Sequence, residues 1–550
     1  MKSLRLLPVL LAALALPAAG QQPPAAEEPA SIFGETIDVR VVNVEAVVTD
    51  RQGNRVTGLG PGDFRLRVDG KEVPIEYFTE VRGGQAIAAD EAGSGQSAAV
   101  QGLPALAPGS PVGTSYLIFI DDYFGIGARR NEVLRELMDD LGRLGPEDRM
   151  AIVAFDGRKI DMLSNWSGIE RELHRAFQEA MSRPSFGTQR LAEIRNFESS
   201  RRLGVNTVDA RSSFANRIDL EELGYMEQLA NQIRRAVTAT VGTLRGFAAP
   251  PGRKVMILLS GGWPFSPADY VIDNPNRPIL NRDVPRGEEL YRPIVDTANL
   301  LGYTLYTVDV PGVDAFGPSA GDEGPRAGGL NLREQEIHAT LDFVAKETGG
   351  KALINGGRGE ALETAETDTR SYYWLGFTPQ RERNDKRHDI KVEVIRPGLA
   401  IRSRDNYFDL SRRAEVSMVV ESALLFGNPP GAAAMPMQVS KPVLSGRKEM
   451  EVQVALAIPV SSMTMVPYDG KFVAELELRV SALDEKGNRA DVPVIPIRLT
   501  AEQEPPKGGA VRYDTRLKLR KIGQHLILAI FDPVSGRITT AEADVVPPSR

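Results

Sequence analysis

Two adjacent carboxylates close an apolar run in LIFIDDYFGIG: Asp121 and Asp122 follow Leu117–Ile120 and precede Tyr123, Phe124 and Gly125. A charge at the end of a buried strand is costly unless it is paired, hydrogen-bonded or metal-bound. Carboxylate oxygens suit hard cations such as Mg²⁺, so metal binding is the first chemistry to consider here. Three further apolar runs end in comparable residues. Asp156 follows RMAIVAF, Ser260-Gly261-Gly262 ends and follows KVMILLS, and Asp309 lies near the end of YTLYTVDV. In open α/β sheets, ligands sit at the carboxyl ends of the strands, where these residues fall.

Other residue types offer less. Gly317-Pro318-Ser319-Ala320-Gly321 fits G-x-S-x-G, but a nucleophile elbow needs its serine directly on a strand-to-helix turn, and this one lies in a long Gly/Pro-rich stretch. The four histidines, His174, His338, His388 and His525, fall in different segments without metal-binding spacing. A phosphate-binding glycine loop is absent. Tyr372, Tyr373, Trp374 and Phe377 lie in one predicted strand and are expected chiefly to pack. Trp263-Pro264-Phe265 directly follows Gly262. Aromatic residues often anchor interfaces, so Trp263 and Phe265 are expected either to meet a partner or to pack their own insertion.

The elements that must hold these residues are legible from periodicity. Val42, Val44, Ala46 and Val48 alternate with polar residues in a β unit spanning 37–82. Residues 83–113 are rich in Gly, Ala, Ser and Pro and read as a linker. From 114 to 370, buried strands alternate with helical patterns such as Met226, Leu229, Ile233, Val237 and Val241. That order predicts a parallel sheet covered on both faces, a Rossmann-like three-layer α/β domain, with insertions at about 182–222 and 263–288. Asn331 is expected to cap the helix that precedes Gly349-Gly350. Residues 371–410 return to strand grammar, as a segment that could pair with 37–82. Residues 411–440 read as a linker, and 441–550 as an Ig-like β-sandwich. The turn Asp50-x-x-Gly53-Asn54-Arg55 recurs as Asp484-x-x-Gly487-Asn488-Arg489.

The 550 residues are 42% hydrophobic and carry a net charge of −7 with no basic run, which excludes an electrostatic case for nucleic acid. Residues 1–20 combine Lys2 and Arg5 with an apolar stretch and Ala18-Ala19-Gly20, the pattern of a cleaved signal peptide, followed by a disordered leader at 21–36. The stretch is short of the ~20 residues that span a bilayer. Loss of Lys2 and Arg5 would take the charge from −7 to −9. The chain has no cysteine, hence neither disulfides nor thiolate chemistry. The expectation is an exported protein, periplasmic or extracellular, with no membrane span.

LIFIDDYFGIG at the head of an α/β domain, with PGRKVMILLSGG later, resembles the von Willebrand factor A domain. LDFVAKETGGKALING, SYYWLGFTP and IKVEVIRPGLAIRSRDNYF, with VVNVEAVVTDRQGNRVTGLGPGDFRLRVDGK at the front, resemble the bacterial secreted von Willebrand factor A-related family over roughly residues 37–410. The resemblance implies a metal-ion-dependent adhesion site for Mg²⁺, built from Asp-x-Ser-x-Ser, a threonine and a later aspartate. Asp121 matches the first ligand, but Tyr123 and Gly125 stand at the serines and Gly261 at the later aspartate. One of five ligands remains. Asp121 is therefore expected to cap the following turn, with no metal cofactor. The expectation is a non-enzymatic, adhesion-type protein that uses Asp121, Asp122, Tyr123, Trp263 and Phe265 against a protein or extracytoplasmic polymer. An architectural envelope component and an extracytoplasmic hydrolase are the alternatives.

Overall fold

The computed structural model describes residues 41–87, 109–205, 220–247, 252–272, 284–310, 329–354, 359–379, 384–411, 414, 417 and 433–548, with 485–488, 507 and 536 excepted. The expected signal peptide, the leader, residues 317–321 and the turn at 485–488 lie outside the described residues.

The first module begins with β1 (Val42–Thr49), β2 (Phe64–Val68), β3 (Lys71–Val73), β4 (Tyr77–Arg82) and β5 (Gln85–Ile87). Alternation buries Val44, Ala46 and Val48 together. At the following turn, the Asp50 carboxylate accepts the Gln52 and Asn54 N–H groups, both at 2.9 Å, and Gly53 supplies the positive φ.

The central domain follows as β6 (Thr114–Asp121), α1 (Gly127–Asp139), β7 (Arg149–Phe155), β8 (Ile160–Ser167), α2 (Glu170–Ser182), α3 (Gly187–Val205), α4 (Leu220–Gly246), β9 (Arg253–Ser260), α5 (Pro267–Ile272), α6 (Glu288–Leu301), β10 (Tyr303–Asp309), α7 (Gly329–Glu347), β11 (Lys351–Leu353) and α8 (Ala361–Arg370). Its sheet runs β11-β10-β9-β6-β7-β8, parallel throughout except for β8 at the edge. β6 is buried over its whole length because both faces are covered. Leu117 and Phe119 pack toward Ile233, Ile294 and Leu341 of α4, α6 and α7. Ile118 and Ile120 point the other way, toward Leu134, Phe177 and Leu362 of α1, α2 and α8. The chain winds from β6 to one edge and then from β9 to the other. The topological switch point therefore lies between the carboxyl ends of β6 and β9, where Asp121 and Ser260 sit.

β12 (Ser371–Phe377), β13 (Arg387–Val394), β14 (Ala400–Arg402) and β15 (Asn406–Phe408) return to the first module. The sheets β14-β1-β12-β4-β5 and β15-β13-β2-β3 close on a shared core containing Val44, Phe64, Leu66, Tyr373, Leu375 and Val392. The α/β domain is thus threaded between two halves of a small sandwich. The register Ala46↔Tyr373 and Tyr372↔Val81 joins residues far apart in the chain. Tyr372, Tyr373, Trp374 and Phe377 are all buried.

The last module comprises β16 (Ala433–Ala434), β17 (Met437–Val439), β18 (Val443–Leu444), β19 (Glu449–Pro459), β20 (Val466–Tyr468), β21 (Lys471–Asp484), β22 (Arg489–Ala501), β23 (Ala510–Arg520), β24 (Gln524–Phe531) and β25 (Ile538–Val545). β17, β18 and β23 flank β19 in one sheet; β16, β25, β24, β21, β20 and β22 form the other. Val452, Val454 and Leu456 of the first sheet share a core with Leu476, Leu478 and Leu528 of the second.

The structure corrects several boundaries. The expected linker at 83–113 begins with β5, which pairs with β4, and the expected linker at 411–440 ends in β16 and β17. Short edge strands are ordered by pairing with a neighbour, which composition does not reveal. Asn331 does not cap α7, because the helix already runs from Gly329.

Candidate binding site at the carboxyl ends of the central strands

Asp121 ends β6 with its side chain turned into the protein, 1% exposed. Its Oδ1 accepts the N–H groups of Tyr123 at 3.1 Å and Phe124 at 3.2 Å, and its carbonyl accepts the Gly125 N–H at 2.9 Å. Its Oδ2 accepts the indole N–H of Trp263 at 2.7 Å. Burial pushes the Asp121 carboxyl up to about 7, against the pull of these three donors. Asp122, one residue on, points away and pairs with Arg130 and with Arg183 at 2.9 Å. Arg183 also reaches Asp161 at 2.8 Å, which ties α2 to the β8 edge.

The glycines explain how the backbone closes over Asp121. A Cβ on Gly125 would lie 2.6 Å from the Asp121 carbonyl oxygen, and one on Gly261 would lie 2.4 Å from that of Phe124. Both are closer than atoms can pack, so the 121–125 turn and the segment after β9 approach backbone to backbone. Two of the positions at which the resembled family carries metal ligands are here close-contact glycines. Trp263 occupies the open side of the carboxylate. The residues present do not fit a Mg²⁺ cage: the oxygens of Asp121 are engaged by N–H groups, and among the described residues no cluster of three His, Asp or Glu side chains has metal-binding geometry.

Placed against the sequence expectations, Asp121, Asp122 and Trp263 are buried, and none presents itself to a partner. The expectation that Trp263 anchors an interface is corrected. Its ring stacks on Tyr291 at 6.2 Å, and its N–H is used by Asp121. Phe265 is half-buried against Phe343 at 5.7 Å and Tyr291 at 6.4 Å, so it packs the insertion onto its own domain. Asp156 accepts the Arg158 and Lys159 N–H groups in a local turn. His174 lies on α2 beside Glu170. Asp309 pairs with His338 at 3.4 Å, which holds the imidazole above its ordinary range, chiefly through that contact. Ser260 is the register partner of Asp309, but its buried Oγ has no hydrogen bond to His338 or to any other group.

Tyr123 leads outward. Its buried ring packs edge-on against Phe124 at 5.1 Å. The Arg190 and Arg235 guanidiniums stand 4.9 and 5.6 Å from its centroid, and each donates to its hydroxyl at 3.4 Å. Arg190 lines a cleft of about 30 Å³ shared with Phe124, Glu193, Tyr225, Gln232 and Gly261. Arg190, Glu193 and Arg235 were not among the residues the sequence pointed to. They lie on helices whose carboxyl-end placement follows only from the fold, and the one local signal was the i,i+3 pair Arg190–Glu193, at 2.9 Å.

No family model matches the sequence, and no curated protein is similar to it. Among solved structures, a structural-genomics target named SoR45 is 14% identical, spanning 21% of this chain and 89% of its own, with a TM-score of 0.15. The putative ApaA protein from Bordetella pertussis is 10% identical over 22% of this chain and 99% of its own, with a TM-score of 0.13. The VWA domain of SpRpn10 is 11% identical over 33% of this chain and 94% of its own, with a TM-score of 0.14. Likenesses this weak fix neither the fold nor the activity of this chain. The architecture itself is multidomain, α/β plus β, and no helix among the described residues is long and apolar enough to cross a membrane.

Proposed function

We propose that this chain is an exported, non-enzymatic binding protein. Its central domain, of the von Willebrand factor A-related kind, would engage a protein or other extracytoplasmic polymer through the face at the carboxyl ends of its strands, without a metal ion. The observation that carries the metal-independent part is the engagement of both Asp121 carboxylate oxygens by N–H donors. A cation would have to displace the Trp263 indole and unmake the 121–125 turn. The contact surface then consists of the cleft and its rim rather than Asp121 itself.

Titration calorimetry of the mature chain with Mg²⁺ and Mn²⁺ should show no saturable site. A micromolar site lost in Asp121→Ala would overturn metal independence. Leu191→Arg, which crowds the cleft, should abolish capture of a partner from envelope extract. Capture that survives Leu191→Arg and is lost on deleting 441–550 would favour an architectural component acting through the last sandwich. The hydrolase reading lacks comparable support: the Ser260 Oγ has no hydrogen-bond partner, His174 stands beside Glu170, and Asp156 accepts the N–H groups of its own turn.

A further inference from the structure

Arg190 and Arg235 come from different helices, yet both donate to the same neutral hydroxyl of Tyr123. Two guanidiniums that share one hydroxyl repel each other unless an anion lies between or beside them. The carboxylate at hand is Glu193, 2.9 Å from Arg190. Arg235 is exposed, and among the described residues no carboxylate forms an ion pair with it. In addition, the Nε of Arg190 is buried with no acceptor. A buried donor left unpaired is costly, and such groups are uncommon in folded proteins.

The cleft beside these groups narrows the choice of ligand. Its 30 Å³ is room for roughly two waters, at about 10–15 Å³ each. A carboxylate group fits beside Arg190, which lines the cleft. A planar guanidinium presents a fork of N–H donors that fits a carboxylate in bidentate fashion. Phe124, Tyr225 and Tyr270 wall the cleft, and little water remains there to weaken such a pair.

Resting on the binding face proposed above, we propose that Arg190, Arg235 and the Tyr123 hydroxyl form a receptor for a side-chain carboxylate of an acidic protein segment, and that Glu193 holds its place in the free protein. The incoming carboxylate takes the Arg190 Nε and Nη donors, and the exposed Arg235, which shares the Tyr123 hydroxyl with Arg190, turns to meet it. Glu193, on the same helix as Arg190, is an internal competitor.

The test is fluorescence anisotropy on the mature chain, with a blocked, labelled deca-glutamate peptide as probe and deca-glutamine as its neutral counterpart. Deca-glutamate should bind and deca-glutamine should not. Arg190→Gln and Arg235→Gln should each weaken binding about tenfold or more, as expected for loss of a charge-assisted hydrogen bond. Glu193→Gln should tighten binding several-fold, a gain that a misfolded variant cannot produce. Arg512→Gln, on the last sandwich, should change nothing. The proposal is overturned if deca-glutamine binds equally, if Arg190→Gln and Glu193→Gln both keep wild-type affinity, or if inorganic phosphate displaces the peptide at lower concentration than acetate does. Partner capture that persists in Arg190→Gln but fails in Leu191→Arg removes this inference and leaves the binding face standing. Capture that survives Leu191→Arg removes the face itself.

Discussion

At the amino ends of the central strands, buried charges are paired across a module boundary, whereas at the carboxyl ends the buried charge of Asp121 is answered by N–H groups of its own domain. Arg253, at the start of β9, is 1% exposed; it pairs with Glu45 of β1 and lies 4.9 Å from the Tyr372 ring. Asp368 of α8 takes Arg55, Arg402 at 2.6 Å and the Tyr306 hydroxyl at 2.7 Å. Arg404 donates to the carbonyls of Asn43 and Asn299. Such pairs gain little net energy over apolar packing, but removing one partner strands the other, so they fix how the small sandwich meets the sheet. At the carboxyl end, the side-chain hydrogen bonds of Asp121 among the described residues stay within its own domain. There the strand-end carboxylate is buried under a tryptophan, and Arg190, Glu193 and Arg235 of α3 and α4 lie nearby. One end is built to hold still and the other leaves cations at a cleft.

The contrast can be broken most forcefully at Arg253. Arg253→Met should destabilise the protein by about 3–5 kcal/mol in urea unfolding, because Glu45 loses its buried partner. It should leave deca-glutamate affinity unchanged. A pH-dependent effect of comparable size belongs to Asp121. Its carboxyl is raised from an ordinary value of 3.8 to about 7, so the folded state holds a proton that the unfolded state releases. Stability from this group is fully present below the unfolded value and falls as pH rises between roughly 4 and 7, by up to about 1.4 kcal/mol per unit. Urea midpoints of wild type and Asp121→Asn across that window should diverge, and parallel curves would refute the inward, shielded carboxylate.

Smaller again is Trp263→Phe. It keeps a ring against Tyr291 and removes only the N–H on Asp121, at a cost of about 1–3 kcal/mol for the unpaired acceptor. Binding affinity should hold, since the indole is not at the surface, and a loss of affinity at full stability would return Trp263 to the interface. The least effect is expected from Arg512→Gln on the exposed face of β23, where Asp514 is a solvent-screened partner. A shift in thermal midpoint beyond error would show that surface pairs in the last sandwich contribute more than this account allows.

Much of the fold was legible because its signals are local. The unbroken apolar run of Tyr116–Ile120 announces a strand buried on both faces, and Val42, Val44, Ala46 and Val48 announce one buried on a single face. The turn at Asp50–Asn54 is likewise carried by its own residues. What stayed hidden was non-local. The role of Trp263 depends on a carboxylate 142 positions earlier, and the short strands β5, β16 and β17 are strands only through their partners. The Arg190–Glu193 pair was readable as a helix pair but not as part of a site, because Tyr123 lies outside its helix.

By itself, then, the sequence determined that a parallel α/β domain sits among β modules, since burial periodicity is set residue by residue. It also determined that Tyr123, Gly125 and Gly261 stand where the resembled family carries metal ligands, and glycine and tyrosine cannot offer carboxylates or small hydroxyls. Only the tertiary structure decided what replaced them. The winding of the chain brings Gly261 against the Phe124 carbonyl and the Trp263 N–H onto Asp121, and it converges Arg190 and Arg235 on Tyr123. Hydrogen bonds and backbone contacts act over a few ångströms regardless of separation along the chain, so this end of the sheet took its character from the fold.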